Sequence, residues 1–275
     1  MTKIGIVGYG VVGQALAYGF SKKGDEVIYY DKFKDGKSLE EVVTSSEFIF
    51  VCLPTPFDKV NKRIDLSIMD ENINEIDTYS SNKAKVVIIK STVLPGTTRN
   101  YCKKYTNTRF CFNPEFLVES SSQEDFLNQD RIVIGAYNQQ TTWKVADLYR
   151  NRFQGIPLFL TDPQTAEMVK YMANAALATK VILGNEIYDL CSKMGISYEE
   201  VKKIVIADKR IGSHLDVTSL RGFGGKCFPK DLVAFIGLFE DLGVDASLLK
   251  TVWDKNLKIR KVKDWEAIPF AQSNY

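Results

Sequence analysis

Gly8, Gly10 and Gly13, in the stretch GYGVVG, follow at once on the apolar run KIGIVG and open the amphipathic stretch VVGQALAYGFSKKG. Nothing else in the chain narrows its fold as much. The first glycine of such a pattern makes a tight strand-to-helix turn. The second lets main chain approach a pyrophosphate, and the third lets helix and strand pack closely. The helix start then offers N–H groups and the positive end of its dipole to the phosphates. Asp31 closes the next apolar run, EVIYYD, where an acidic residue accepts hydrogen bonds from adenosine ribose hydroxyls; this favours NAD. Lys32 and Lys34 follow it and could tolerate a 2′-phosphate, so the choice against NADP stays open. Gly8, Gly10, Val11, Val12, Gly13 and Asp31 form the candidate cofactor-binding set.

Apolar runs recur as EFIFVCL, AKVVIIKST, TRFCF, RIVIG and IPLFL, with helical or loop segments between them. That alternation predicts an α/β fold, a doubly wound parallel sheet covered by helices on both faces, over residues 1–160. The pattern changes at Asp162. DPQTAEMVKYMANAALATKVILGNEIYDLCSKMG reads as one long helix with Asp162 as its cap and Pro163 in its first turn. SYEEVKKIVIAD predicts a shorter helix, a glycine-rich loop follows, and helical patterns run from about Pro229 to Leu242 and Ala246 to Lys263. Residues 161–275 are therefore expected to form an all-helical domain.

A chain of 275 residues accommodates two domains, and 45% hydrophobic with 25% charged residues is a globular composition. The net charge of +2 comes from scattered lysines and arginines, which gives no reason to expect nucleic acid as a partner. No apolar run has the length of a membrane span, and because MTKIGIVGYG leads straight into a strand pattern no leader segment is expected. Five cysteines without a CxxC pair fit reduced thiols in a cytoplasm. His214 is the only histidine, which argues against a Ser-His-Asp triad or a multi-histidine metal centre, and no metal is expected.

Polar residues gather at the expected strand ends, where sheets of this kind bind ligands: PTP (Pro54 to Pro56), KSTVLPGTT (Lys90 to Thr98) and NPEFLVES (Asn113 to Ser120). Each is, taken alone, an ordinary loop. On the long helix, Lys170 and Asn174 share one face of an otherwise apolar stretch, and buried polar groups need partners. RGFGGKCFPKDL sets Cys227 between a glycine-rich turn and Pro-Lys-Asp. Lysine near a thiol raises its reactivity, and glycines let something approach closely.

Taken in order, GYGVVG, PTP, KSTVLPGTT, NPEFLVES, KYMAN and GFGGKCFPKD resemble the UDP-glucose/GDP-mannose dehydrogenases, from about residue 3 to 258. The likeness is greatest to the members acting on UDP-glucose. The resemblance implies a four-electron oxidation of a nucleotide-sugar C6 alcohol to the carboxylate, UDP-glucose to UDP-glucuronate, with two NAD+ used in succession. Cys227 would capture the aldehyde as a thiohemiacetal that becomes a thioester. Lys170 and Asn174 would stabilise the developing oxyanion, and Asp231 with Thr92 would position water. Glu115 and Glu119 would hold substrate and assist hydrolysis as general base. The family pattern also assigns cofactor contacts to Pro54, Thr55, Ser91, Thr92 and Glu119. It assigns substrate contacts to Phe116, Leu117, Phe223, Gly224 and Lys230 beside Lys170 and Asn174, and to Arg210 across a subunit boundary. Lys230 could help tune the thiol.

Members of the family normally continue into a third, nucleotide-gripping domain, which this chain is expected to lack, and they dimerise through the helical region; a homodimer is expected. Two other readings stay open. One is an NAD-binding remnant, or a subunit that needs a partner for the sugar nucleotide. The other is a β-hydroxyacid dehydrogenase-like enzyme making a single hydride transfer. The number of NADH formed per substrate separates them: two, one or none.

Overall fold

The computed structural model describes residues 1–58, 61–80 and 85–268. Ala84, where the expected strand AKVVIIKST begins, and the final residues 269–275 lie outside them. In chain order the elements are β1 (Lys3–Val7), α1 (Val11–Lys22), β2 (Glu26–Tyr30), α2 (Leu39–Ser45), β3 (Phe48–Val51), β4 (Phe57–Asp58), β5 (Arg63–Ile64), α3 (Ser67–Tyr79) and β6 (Val86–Ile89). They continue with α4 (Thr97–Lys104), β7 (Arg109–Phe112), α5 (Ser122–Leu127), β8 (Ile132–Gly135), α6 (Gln139–Arg150), β9 (Leu158–Thr161) and α7 (Pro163–Met194). The last are α8 (Tyr198–Val205), α9 (Phe228–Asp241) and α10 (Ser247–Ile259). The chain divides into two compact units: Met1–Thr55 with Asp65–Lys170, and Pro56–Ile64 with Tyr171–Tyr275.

The first unit is built on a sheet in the order β2-β1-β3-β6-β7-β8-β9. Side chains alternate across each strand, so an apolar run feeds two cores at once. Ile4, Ile6, Phe48, Phe50, Val86 and Ile88 pack with Leu16 and Phe20 of α1 and Val145 and Tyr149 of α6. Val7, Ile49, Val51, Val87 and Ile89 pack with Val42 and Val43 of α2 and Met69, Ile73 and Ile76 of α3 on the other face. The alternating sequence pattern translates directly into this doubly covered sheet.

Two features depart from that pattern. β7 and β8 meet antiparallel, with Phe112 opposite Gly135. The segment between them carries the short α5, which packs on α1, and returns the chain in the opposite direction; the parallel series resumes with β8 and β9. The second departure is the hairpin of β4 and β5, whose strands have two residues each and carry no readable periodicity.

That hairpin belongs to the second unit, where it lies on α9. Phe57 packs with Val233 and Trp265, Lys62 pairs with Glu240 and Arg63 with Asp241. Gly237 makes the approach possible, because a Cβ there would stand 2.1 Å from the Lys62 carbonyl oxygen. The prediction is that Gly237→Ala destabilises the protein by about 1–3 kcal/mol, the usual cost of overpacking. Chemical denaturation would measure this, and an unchanged midpoint would show that the hairpin yields without cost.

Candidate functional site

Geometry at the first strand-to-helix turn suits a dinucleotide. Gly8 has φ +93° and a Cβ on it would meet the Cys52 carbonyl oxygen at 2.6 Å; one on Gly13 would meet the Gly8 carbonyl at 2.1 Å. Gly10 differs, since nothing lies within 4 Å of where its Cβ would be. The open space therefore lies at the glycine where a pyrophosphate comes closest. No side chain caps the start of α1, so its first-turn N–H groups remain available to an anion. Asp31 accepts from the N–H groups of Tyr9 (2.7 Å) and Phe33 (2.9 Å), which sets its carboxylate beside the same turn. Lys34 donates to the Tyr9 carbonyl at 2.6 Å, also against this turn. These residues fit NAD.

The loops after β3 and β6 are joined to each other. Thr55 donates its hydroxyl to the Thr92 carbonyl at 2.9 Å, and Ser91 donates to the Leu53 carbonyl at 2.7 Å. Pro54, Thr55, Ser91 and Thr92 thus stand together at the carboxyl edge of the sheet. The loop after β7 carries Glu115, and Lys170 of α7 donates to its carboxylate at 2.9 Å and to its carbonyl at 2.7 Å. Both side chains are nearly excluded from solvent. Burial alone would push the Glu115 carboxyl up, but the Lys170 ammonium, the Leu117 N–H and the Lys90 charge outweigh it and hold it below its usual range. Phe116 lies against Lys170 and, at 3.8 Å, under the Arg131 guanidinium. Leu117 donates its N–H back to Glu115 at 2.7 Å. Glu119 opens a short 3₁₀ turn and is exposed.

Lys90 and Glu167 carry much of this arrangement, although no role is read for either from the sequence. Lys90 is 4% exposed and donates to the Asn113 side-chain oxygen (3.0 Å) and the Pro114 carbonyl (3.2 Å). It pins the main chain leading into Glu115. Burial pushes its ammonium down to about 8, against the pull of Glu115. The signal was a lysine ending the wholly apolar run VVII. Glu167, fully buried, accepts from the N–H groups of Gly96 (2.6 Å) and Thr98 (2.8 Å) and so caps α4 from α7. Its signal was a carboxylate one helical turn before Lys170 on the same face.

In the second unit Cys227 precedes the first turn of α9 and is the exposed thiol of the five cysteines. Cys52 and Cys111, of the first unit, are pushed up to about 12 by burial, which leaves them inert. One turn into α9, Asp231 is 2% exposed. Its carboxylate accepts from Asn174 at 2.5 Å and from Lys230 at 2.6 Å. Asn174, Asp231 and Lys230 are therefore one connected group, in which the aspartate is a partner of Lys230. Phe223 is buried, with Phe228 and Trp253 as ring neighbours. Arg210 is 90% exposed at its side chain and pairs with Asp208.

The glycines before Cys227 are explained by protein. A Cβ on Gly222 would meet the Asn256 oxygen at 2.3 Å, and one on Gly224 would meet Asp264 at 2.2 Å and Arg260 at 2.3 Å. At these two positions the lack of a Cβ makes room for side chains of the protein itself. Gly225 has φ +74° and open space at its Cβ position. Among the described residues no group of three or more His, Cys, Asp or Glu could hold a metal, and no helix is long and apolar enough to cross a membrane.

Residues 31–153 match the NAD binding domain of the UDP-glucose/GDP-mannose dehydrogenase family, and residues 164–258 its central domain. The chain is 36% identical over 230 residues to the UDP-glucose 6-dehydrogenase of Rickettsia conorii, covering 82% of this chain and 52% of that protein. With the UDP-glucose 6-dehydrogenase YwqF of Bacillus subtilis it shares 36% over 222 residues, 78% of this chain and 49% of the relative. The chain spans about half the length of these curated relatives. A UDP-glucose dehydrogenase structure from Pyrobaculum islandicum superposes with a TM-score of 0.86 at 31% identity, over 94% of this chain and 68% of that one.

Glu167 makes stability depend on pH. Burial pushes its carboxyl from 4.5 up to about 7, although hydrogen bonds from Thr98 and Gly96 pull the other way. Between those values the folded protein holds a proton that the unfolded chain releases, so stability falls as pH rises through the window. The contribution is on the order of 1–3 kcal/mol. Glu167→Gln, which does not titrate, is expected to flatten the slope of unfolding free energy between pH 4.5 and 7; a slope equal to that of the wild type would refute the assignment.

Proposed function

The chain belongs to the UDP-glucose/GDP-mannose dehydrogenase family, and from that premise we propose that it oxidises the C6 alcohol of a nucleotide sugar, UDP-glucose first, to the uronate. The observation that carries this reading is the group around Cys227: an exposed thiol at the start of α9, with a buried Asp231 one turn on that is held by both Asn174 and Lys230. A single hydride transfer has no use for a nucleophilic thiol; capture of an aldehyde does.

Bound NAD+ supplies the hydride acceptor, used twice per sugar. Lys170 and Asn174 present donors to an oxygen on which negative charge develops, the electrostatic contribution that commonly dominates such sites. The Cys227 sulfur bonds to the aldehyde carbon, giving a thiohemiacetal whose oxidation leaves a thioester. Its position at the positive end of α9 favours negative charge on the sulfur, both as attacking and as leaving group. Water then breaks the carbon–sulfur bond, releasing the carboxylate and returning the thiol. Asp231 with Thr92 positions that water. Glu119 or Glu115 takes its proton, and the pair with Lys170 keeps Glu115 ionised for the task. Pro54, Thr55, Ser91 and Glu119 contact the cofactor; Phe116, Leu117, Phe223, Gly224 and Lys230 line the substrate.

The reading includes a cytoplasmic homodimer. Leu183, Ile187, Leu190 and Met194 recur at helical spacing along α7 and all are exposed. A second copy would cover this stripe and bring Arg210 to its neighbour's substrate.

The experiment is NADH formation on limiting UDP-glucose, run to completion beside Cys227→Ser. Two NADH per sugar, lost or stalled before the second in the variant, is the expected result. One NADH per substrate, or none with UDP-glucose, GDP-mannose and N-acetyl sugars while NAD binds, would overturn it.

A further inference from the structure

The glycine-rich segment before Cys227 is clasped by a buried amide. Asn256, on α10, is fully excluded from solvent. Its side-chain oxygen accepts from the Phe223 N–H at 2.8 Å, and its nitrogen donates to the Phe223 carbonyl at 3.1 Å. One planar carboxamide thus satisfies both main-chain groups of a single loop residue. Only a side chain offering donor and acceptor side by side can do so. Gly222, with φ +52°, leaves the room it needs.

The neighbouring residues are tied to the same region. The Gly225 N–H donates to Asp264 at 3.1 Å, Asp264 accepts from Arg260 at 3.0 Å, and Arg260 donates to the Arg221 carbonyl at 3.0 Å. Arg221 itself donates to Asn185 at 2.8 Å and to Asp189 at 2.6 Å. Main chain at residues 221, 223 and 225 is therefore held from α10 and the turn after it, and Cys227 follows immediately. Downstream, Leu232, Val233 and Phe235 bury α9. The cysteine stands between two fixed supports.

We propose that Asn256 is a positioning residue for Cys227: its two-point hydrogen bond to Phe223 holds the loop that places the sulfur at the start of α9. The role rests on the reading of Cys227 as nucleophile. Without the clasp, two buried main-chain groups lose their partners, which is costly enough for the loop to move toward water. A displacement of about 1 Å at a reacting atom is enough to lose on the order of a hundredfold in rate.

The test is the rate of Cys227 alkylation by iodoacetamide in the folded, ligand-free chain, read by mass spectrometry, for wild type, Asn256→Asp and Asp264→Asn. An ionised aspartate at 256 accepts the Phe223 N–H but cannot donate to the carbonyl; protonated, it can do both. The ratio of variant to wild-type rate should fall on the order of tenfold at alkaline pH and return toward one as the buried carboxyl takes up its proton. Arg260, Asp264, Arg221 and Asp189 are common to both proteins, so their charges cancel in the ratio. Buried Cys111 and Cys191 should stay unreactive, which a general loosening would not allow. Asp264→Asn, on a half-exposed side chain, should slow labelling two- to threefold and decides the matter if Asn256→Asp does not fold. Unchanged Cys227 rates in the folded variants would overturn the proposal. Slowed labelling together with undiminished NADH formation by Cys227→Ser would instead sink the reading of Cys227 while leaving the clasp in place.

Discussion

A lysine taken out of water must be paired, and Lys170 is paired with Glu115, with both side chains almost wholly buried. Much else in the first unit follows from that. Glu115 stays a carboxylate because the Lys170 ammonium, the Leu117 N–H and the Lys90 charge together outweigh its desolvation. Lys90 in turn is held by Asn113 and Pro114, so the loop after β7 cannot shift without stranding a buried charge. Asn113 donates to the Val133 carbonyl at 2.6 Å, which ties the same knot into β8. Removing one partner of such a set costs several kcal/mol, about 3–5 in comparable pairs, because the charge left behind has nowhere to go.

Helix α7 organises these groups by its period. Glu167, Lys170 and Asn174 recur at spacings of three and four, so they share a face, and each is buried. Each serves a different segment: Glu167 caps α4, Lys170 pairs with the loop after β7, and Asn174 binds Asp231 of α9.

Glycine has two uses in this chain. At Gly10 it leaves an open approach at the start of α1, which suits a phosphate. At Gly222 and Gly224 the same lack of a side chain admits Asn256, Arg260 and Asp264. The first kind of glycine leaves room for a ligand; the second lets side chains hold the loop that precedes Cys227. Sequence spacing does not distinguish them, because the space beside a glycine is filled by residues far along the chain.

The sequence by itself determined the sheet-and-helix plan, the dinucleotide turn and the long helix, since periodicity and turn chemistry are local properties of the chain. It also marked Cys227, Lys170, Asn174 and Asp231 as residues of interest, the lysine and asparagine because polar groups on an apolar face stand out. Only the tertiary structure decided the partners. The antiparallel meeting of β7 and β8, the short hairpin on α9, the two lysines around Glu115, and the clasp of Asn256 on Phe223 all join segments distant in sequence. Such pairings depend on where burial leaves a donor or an acceptor wanting, and that demand exists only once the chain has folded around it.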